Sequence, residues 1–125
     1  MKTRFTVALS MLAGIAIGAV AIQGLHAQAK PKAYLVTESE VLDAAALASY
    51  TAAIGAVQKA AGGRSFGTRG KVVASVGDAP KRVGISEWDS LEQAQAYLKS
   101  EARKKLVQDG KVVKITRSYI VEAAN

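Results

Sequence analysis

A chain of 125 residues has room for one domain and a short extension. It carries no cysteine, so neither disulfides nor thiol chemistry are available, and its single histidine, His26, lies near the N-terminus. The formal net charge of +7 makes it moderately basic.

The first 29 residues read as a targeting segment. Lys2 and Arg4 precede an uncharged run from Phe5 to Ile22, and the small residues Ala27 and Ala29 follow ahead of Lys30-Pro31-Lys32. This three-part layout predicts a cleavable signal peptide over 1–29, cut after Ala29. The alternative is an uncleaved anchor, since about 20 apolar residues span a bilayer. The mature chain, 30–125, is then periplasmic or secreted. It keeps a net charge of about +5 and has no imidazole, which removes Ser-His-Asp and Cys-His catalysis and the usual zinc sites. Export argues against a nucleic-acid partner, so the basic charge suits small anions, anionic headgroups or envelope polymers. A membrane contact is expected only through an uncleaved leader.

In chain order, residues 33–41 mix apolar, β-branched and aromatic residues with polar ones and predict a first strand. Asp43 is placed to cap a helix whose buried stripe is Leu47, Tyr50, Ile54, Val57 and Ala61, spaced by three and four. Gly62-Gly63 ends it. Residues 64–76 read as a second strand in two pieces, with a bulge or bend at Gly70, and Gly77-Asp78-Ala79-Pro80 as the following turn. Alternation is clear in the third strand, Arg82 to Trp88. Ser90 with Gln93 three residues on is a capping-box signature for a second helix ending at Gly110, with Leu91, Ala94, Leu98 and Ala102 inward and a basic end at Lys99, Arg103, Lys104 and Lys105. The fourth strand, 112–122, places Val113, Ile115, Arg117, Tyr119 and Val121 on one face by simple alternation.

The order β-α-β-β-α-β predicts an α+β, ferredoxin-like domain. Its four-stranded antiparallel sheet has strands one and three in the middle and two helices on one face. The other face has no cover within one chain and carries apolar side chains, which predicts a homodimer packed sheet to sheet.

Several residues together resemble a known family. Ala33-Tyr34-Leu35-Val36, Asp43, Tyr50, Gly62-Gly63-Arg64, Arg69-Gly70, Arg82-Val83, Glu87-Trp88 and Ser90-Leu91-Glu92-Gln93-Ala94 are similar, in order and spacing, to the bacterial proteins of "domain of unknown function 1330". The likeness covers about 33–123. The chain departs from the family pattern in reading Trp88-Asp89-Ser90 for a usual Phe-Pro-Ser, and Glu101-Ala102-Arg103 for a usual Pro-Glu-Tyr. The resemblance implies a dimeric α/β barrel of the ferredoxin-like type and brings no established activity.

Candidate ligand-binding residues are Tyr34, Arg69, Glu87, Trp88, Arg117 and Tyr119. Glu87, at the end of a central strand, can act as a base if burial raises its pKa, or can pair with Arg64, Arg69 or Arg117. Arg117, among apolar neighbours, can take a carboxylate or phosphate in a two-pronged way, or can simply charge an edge strand. Arg69 beside Gly70 can close over an anion or remain a solvated loop arginine. Tyr34, Tyr97 and Tyr119 can hydrogen-bond a ligand or pack with the hydroxyl at a rim, and Trp88 can cap the core or an interface. No phosphate loop, metal-ligand spacing or nucleotide fingerprint is present, so neither cofactor nor metal is expected. The leading expectation is a homodimer that binds a small anionic or aromatic molecule between sheet and helices. A cofactor-free enzyme of the dimeric-barrel type, monooxygenase or isomerase-like, and a structural module of the envelope are the alternatives.

Overall fold

The computed structural model describes residues 30–68, 70–108 and 110–124, so the expected signal peptide and Arg69 lie outside the described residues. The elements are β1 (Ala33–Val41), α1 (Leu47–Ala60), β2 (Arg64–Phe66), β3 (Arg82–Trp88), α2 (Leu91–Lys99), α3 (Glu101–Val107) and β4 (Val113–Glu122). The sheet order is β2-β3-β1-β4, and every described pairing is antiparallel. This is the expected topology, with β1 and β3 central.

Four local expectations are corrected. The second strand is only Arg64–Phe66, because 71–76, though rich in valine, finds no neighbouring strand; Val73 and Val76 stand 79% and 92% exposed. α1 begins at Leu47 rather than directly after Asp43. The Asp43 Oδ1 instead accepts the backbone N–H groups of Ala45 and Ala46 at 3.0 and 3.1 Å and so caps the turn that leads in.

The single second helix is in fact two, giving three helices in all. Ser100, with ψ 142°, is at once the C-cap of α2 and the N-cap of α3. Its hydroxyl donates to the Tyr97 carbonyl at 2.7 Å and accepts the Arg103 N–H at 3.4 Å, so a short polar side chain satisfies groups that the break leaves free. The break re-aims the later residues: Ala102 is exposed, and Tyr97 rather than Ala102 joins the buried stripe.

The fourth correction concerns β4. Glu38 pairs with Arg117, but the next residue of β1, Ser39, pairs with Ile115, so Thr116 is an extra residue in a bulge. The bulge reverses the alternation. Val113 and Ile115 face the helices, whereas Arg117, Tyr119 and Val121 face the opposite side with Tyr34, Val36 and Glu38.

The core lies between sheet and helices. Ala33, Leu35, Trp88, Ala94 and Tyr97 form it, with Val57, Ala61, Leu91, Leu98 and Ile120 packed around them. Trp88 is fully buried. Its ring stacks on Tyr97 with centroids 4.8 Å apart, and its Nε1 donates to Ser86 Oγ at 2.9 Å, so the indole N–H is satisfied without solvent. α1 ends in a paired-bond terminus: Gly62 N donates to Lys59 O at 3.0 Å and Gly63 N to Gln58 O at 2.9 Å. Gly62 holds φ +95°, which a side chain would strain, and Gln93 closes the corner by donating from Nε2 to Ala61 O at 3.2 Å. The Ser90 cap is present, its Oγ accepting Gln93 N–H at 3.2 Å, while Gln93 Oε1 accepts the N–H of Asp89 rather than that of Ser90.

No helix among the described residues is long and apolar enough to cross a membrane.

Candidate functional site

The two faces of the sheet separate the charged residues into two sets. On the face away from the helices, pairing puts Arg64, Glu87, Tyr34 and Val121 in one row, Phe66, Ile85, Val36 and Tyr119 in the next, and Val83, Glu38 and Arg117 in a third. The first and third rows are ion-paired. Arg64 reaches Glu87 Oε1 from Nε at 3.0 Å and Nη2 at 2.6 Å, and Asp89 at 3.0 Å; Lys32 adds a 3.0 Å contact to the same Glu87 oxygen. Arg117 grips Glu38 with two bonds, 2.5 and 3.2 Å, and its guanidinium lies 5.3 Å from the centre of the Tyr119 ring. Tyr34 and Phe66 stack at 6.4 Å. Between the charged rows the surface is apolar, with Phe66 and Tyr119 exposed, and Val121 adds an exposed apolar side chain at the end of the first row.

Four of the expected ligand residues, Tyr34, Glu87, Arg117 and Tyr119, therefore share this outer face, while Trp88 is core and Arg69 is outside the described residues. Glu87 is no raised-pKa base. The hydrogen bonds from Lys32 and then Arg64 hold its carboxyl below the ordinary carboxylate range, and outweigh the opposing effect of desolvation.

On the helix side a cavity of about 220 Å³ lies between the sheet and α1, with Tyr97 and residues of α3 at its side. The floor is the inward row of β1 and β3, Thr37, Ser39, Arg82, Gly84 and Ser86; Tyr50, Ile54 and Gly55 of α1 form the roof. Val107, Val113 and Ile115 supply apolar wall, the last two through the β4 bulge. Tyr97 partitions core from cavity, stacked on Trp88 and with the Arg103 guanidinium 5.6 Å from its ring centre.

Two arginines line this space, Arg82 and Arg103. Arg82 Nη1 donates to Ser39 Oγ at 3.4 Å, and among the described residues neither arginine meets a carboxylate. The described lining contains no Asp, Glu or His at all. Tyr50 lies within reach of both charges: burial raises its pKa, and the positive charge of Arg103, then of Arg82, works against that rise. Arg64 and Arg117, by contrast, are already neutralised on the outer face. No cluster of three or more metal-ligating side chains occurs among the described residues.

Sequence reading did not single out Arg82 as a ligand residue, and Arg103 counted only as part of a basic helix end. The available signal was parity. With Trp88 inward, a period of two turns Ser86, Gly84 and Arg82 inward as well.

A four-stranded antiparallel sheet with helices packed on one side defines a ferredoxin-like α+β protein. Solved structures share this architecture. Residue identity is 15% with a protein of unknown function from Rhodopseudomonas palustris, RPA0582, over 75% of this chain and 82% of that one, with a TM-score of 0.55. The methylated form of RPA0582 aligns at 14% identity over 77% and 82%, with the same TM-score. A Chloroflexus aurantiacus J-10-fl protein, named only provisionally as an antibiotic biosynthesis monooxygenase, aligns at 15% identity over 75% and 94%, with a TM-score of 0.44. No curated protein matches the sequence. The chain belongs to the family described as Domain of unknown function (DUF1330), whose model matches residues 32–124.

Proposed function

We propose that this chain is an exported homodimeric domain that binds a small anionic molecule in the cavity between its sheet and its helices. The observation that carries the reading is the pair Arg82 and Arg103, set in a partly apolar cavity whose described lining holds no carboxylate to neutralise them. Two positive charges lining one half-buried space repel each other, and a bound anion reverses the sign of that interaction. Guanidinium donors matched to a carboxylate supply strong, oriented bonds. The hydroxyls of Thr37, Ser39 and Tyr50 can add weaker ones. A lining of guanidiniums, hydroxyls and aliphatic groups supports binding over proton abstraction, which needs a poised base.

The dimer rests on the outer sheet face. Its apolar middle row is flanked by satisfied ion pairs, a pattern suited to a second copy across a two-fold axis. The exported location rests on the leader-like residues 1–29.

The test is native mass spectrometry of the full chain expressed in a bacterium that exports it. The expected spectrum shows two copies, each lacking 1–29, with a small anion retained and released by Arg82→Gln. A monomer at micromolar concentration removes the dimer, and an Arg82→Gln protein with undiminished anion retention removes the cavity as its site.

A further inference from the structure

Two glycines of the cavity have no conformational reason to be glycine. Gly55, within α1, and Gly84, within β3, both lie outside the positive-φ region, and in helix or strand interiors glycine weakens the element. A Cβ built on Gly55 meets nothing within 4 Å, and one on Gly84 meets only the Thr37 carbonyl oxygen at 4.0 Å. One belongs to the roof and the other to the floor. At these two places the cavity is bounded by backbone alone, with open space where a side chain would stand, and Gly84 is reached by solvent, so a flat group can approach both surfaces closely.

Size and polarity narrow the occupant. A dry apolar cavity of about 150 Å³ accommodates benzene, and a water molecule's share of liquid is about 30 Å³. The 220 Å³ here is larger than the benzene cavity and leaves room for a small polar group beside a single ring. Ile54, Val113 and Ile115 offer contacts to a ring edge, while Arg82, Arg103 and Tyr50 offer donors for one anionic group.

We infer that the cavity is a site for an aromatic monocarboxylate of benzoate size, its ring between Gly55 and Gly84 and its carboxylate on Arg82 and Arg103. This rests on the anion-binding reading above and specifies the ligand class for the same site. A flat ring fits against these surfaces without displacing a helix, whereas a tetrahedral anion such as phosphate uses the guanidiniums and leaves the space beside the glycines wet. A neutral ring forgoes the arginines.

The inference is tested on the full chain by ligand-observed NMR and calorimetry with sodium benzoate, sodium acetate, inorganic phosphate and benzyl alcohol as probes. Benzoate is expected to bind at least about tenfold more tightly than acetate, phosphate or benzyl alcohol. Arg82→Gln or Arg103→Gln is expected to weaken it by about tenfold or more, as loss of a charge-assisted bond does. Gly84→Val is expected to abolish benzoate binding while the circular dichroism spectrum and melting temperature hold or rise, because the new side chain enters open space. Gly55→Leu gives the same result from the roof and guards against a strand-specific effect.

Acetate or phosphate binding as tightly as benzoate, or benzoate surviving both glycine substitutions, overturns the aromatic assignment and leaves the anion site standing. Benzyl alcohol matching benzoate, or no anion binding at millimolar concentration, overturns both.

Discussion

Gly63 offers a sharp test of how the core is built. It is buried, and a Cβ on it would lie 2.6 and 2.7 Å from Cζ2 and Cη2 of Trp88 and 2.9 Å from Gln58 Cγ, where carbon atoms normally rest at about 3.5–4.0 Å. Gly63→Ala therefore demands a shift of roughly 1 Å from some partner. The indole cannot readily give way, being fully buried, stacked on Tyr97 and bonded to Ser86. The glycine backbone is held in turn by its 2.9 Å bond to Gln58 O. Overpacking of this kind costs about 2 kcal/mol, which in a domain of this size lowers the melting temperature by about 8–16 °C.

The assay is urea unfolding followed by circular dichroism on four proteins: wild type, Gly63→Ala, Trp88→Phe and the double variant. A phenyl ring lacks the outer indole atoms that the Cβ strikes, so the added methyl should cost little in the Trp88→Phe background, giving a coupling of about 1–2 kcal/mol. Equal costs in the two backgrounds, or no cost in wild type, would refute the packing argument.

Ser100→Ala removes the hydroxyl shared by α2 and α3 and should lower stability by about 1 kcal/mol, read as a drop of about 4–8 °C in melting temperature. Glu87 contributes a pH dependence. Its folded pKa is depressed by Lys32 and Arg64, so its stabilising effect is complete above the unfolded value of about 4.3 and fades as pH falls below it toward the folded pKa. Melting curves of wild type and Glu87→Gln should accordingly differ at pH 7 and converge near pH 3; a constant gap would show that the lowered pKa contributes nothing to folding. Deleting Thr116 removes the β4 bulge and turns either Val113 and Ile115 or Arg117 and Tyr119 to the wrong side. The loss of buried aliphatic surface should cost about 3–5 kcal/mol, measurable by urea unfolding, whereas Thr116→Ala, which keeps the residue count, should stay within about 0.5 kcal/mol of wild type.

Local patterning made β1, β3 and the start of α2 legible. Their alternation and the Ser90 to Gln93 cap are properties of a few adjacent residues, and the bonds that satisfy them are local. Residues 71–76 misled because strand composition describes what a strand would bury, not whether a neighbour exists to pair with it. The long second helix misled because Ser100 is tolerable inside a helix by composition. Its role as a double cap emerges only once Tyr97 is drawn under Trp88.

Residue order and periodicity by themselves determined the ferredoxin-like strand order, since it follows from the succession of two-residue and 3.6-residue repeats along the chain, while the family is carried by particular residues such as Gly62-Gly63-Arg64 and Glu87-Trp88 in their order and spacing. Only the tertiary structure decided which charges are spent and which are free. Glu38 and Glu87 neutralise the outer-face arginines from neighbouring strands, whereas Arg82 and Arg103, 21 residues apart, line one cavity together with Gly55 and Gly84 and meet no carboxylate among the described residues. Charge pairing and empty volume depend on what distant segments bring to the same place, and a linear pattern does not carry that information.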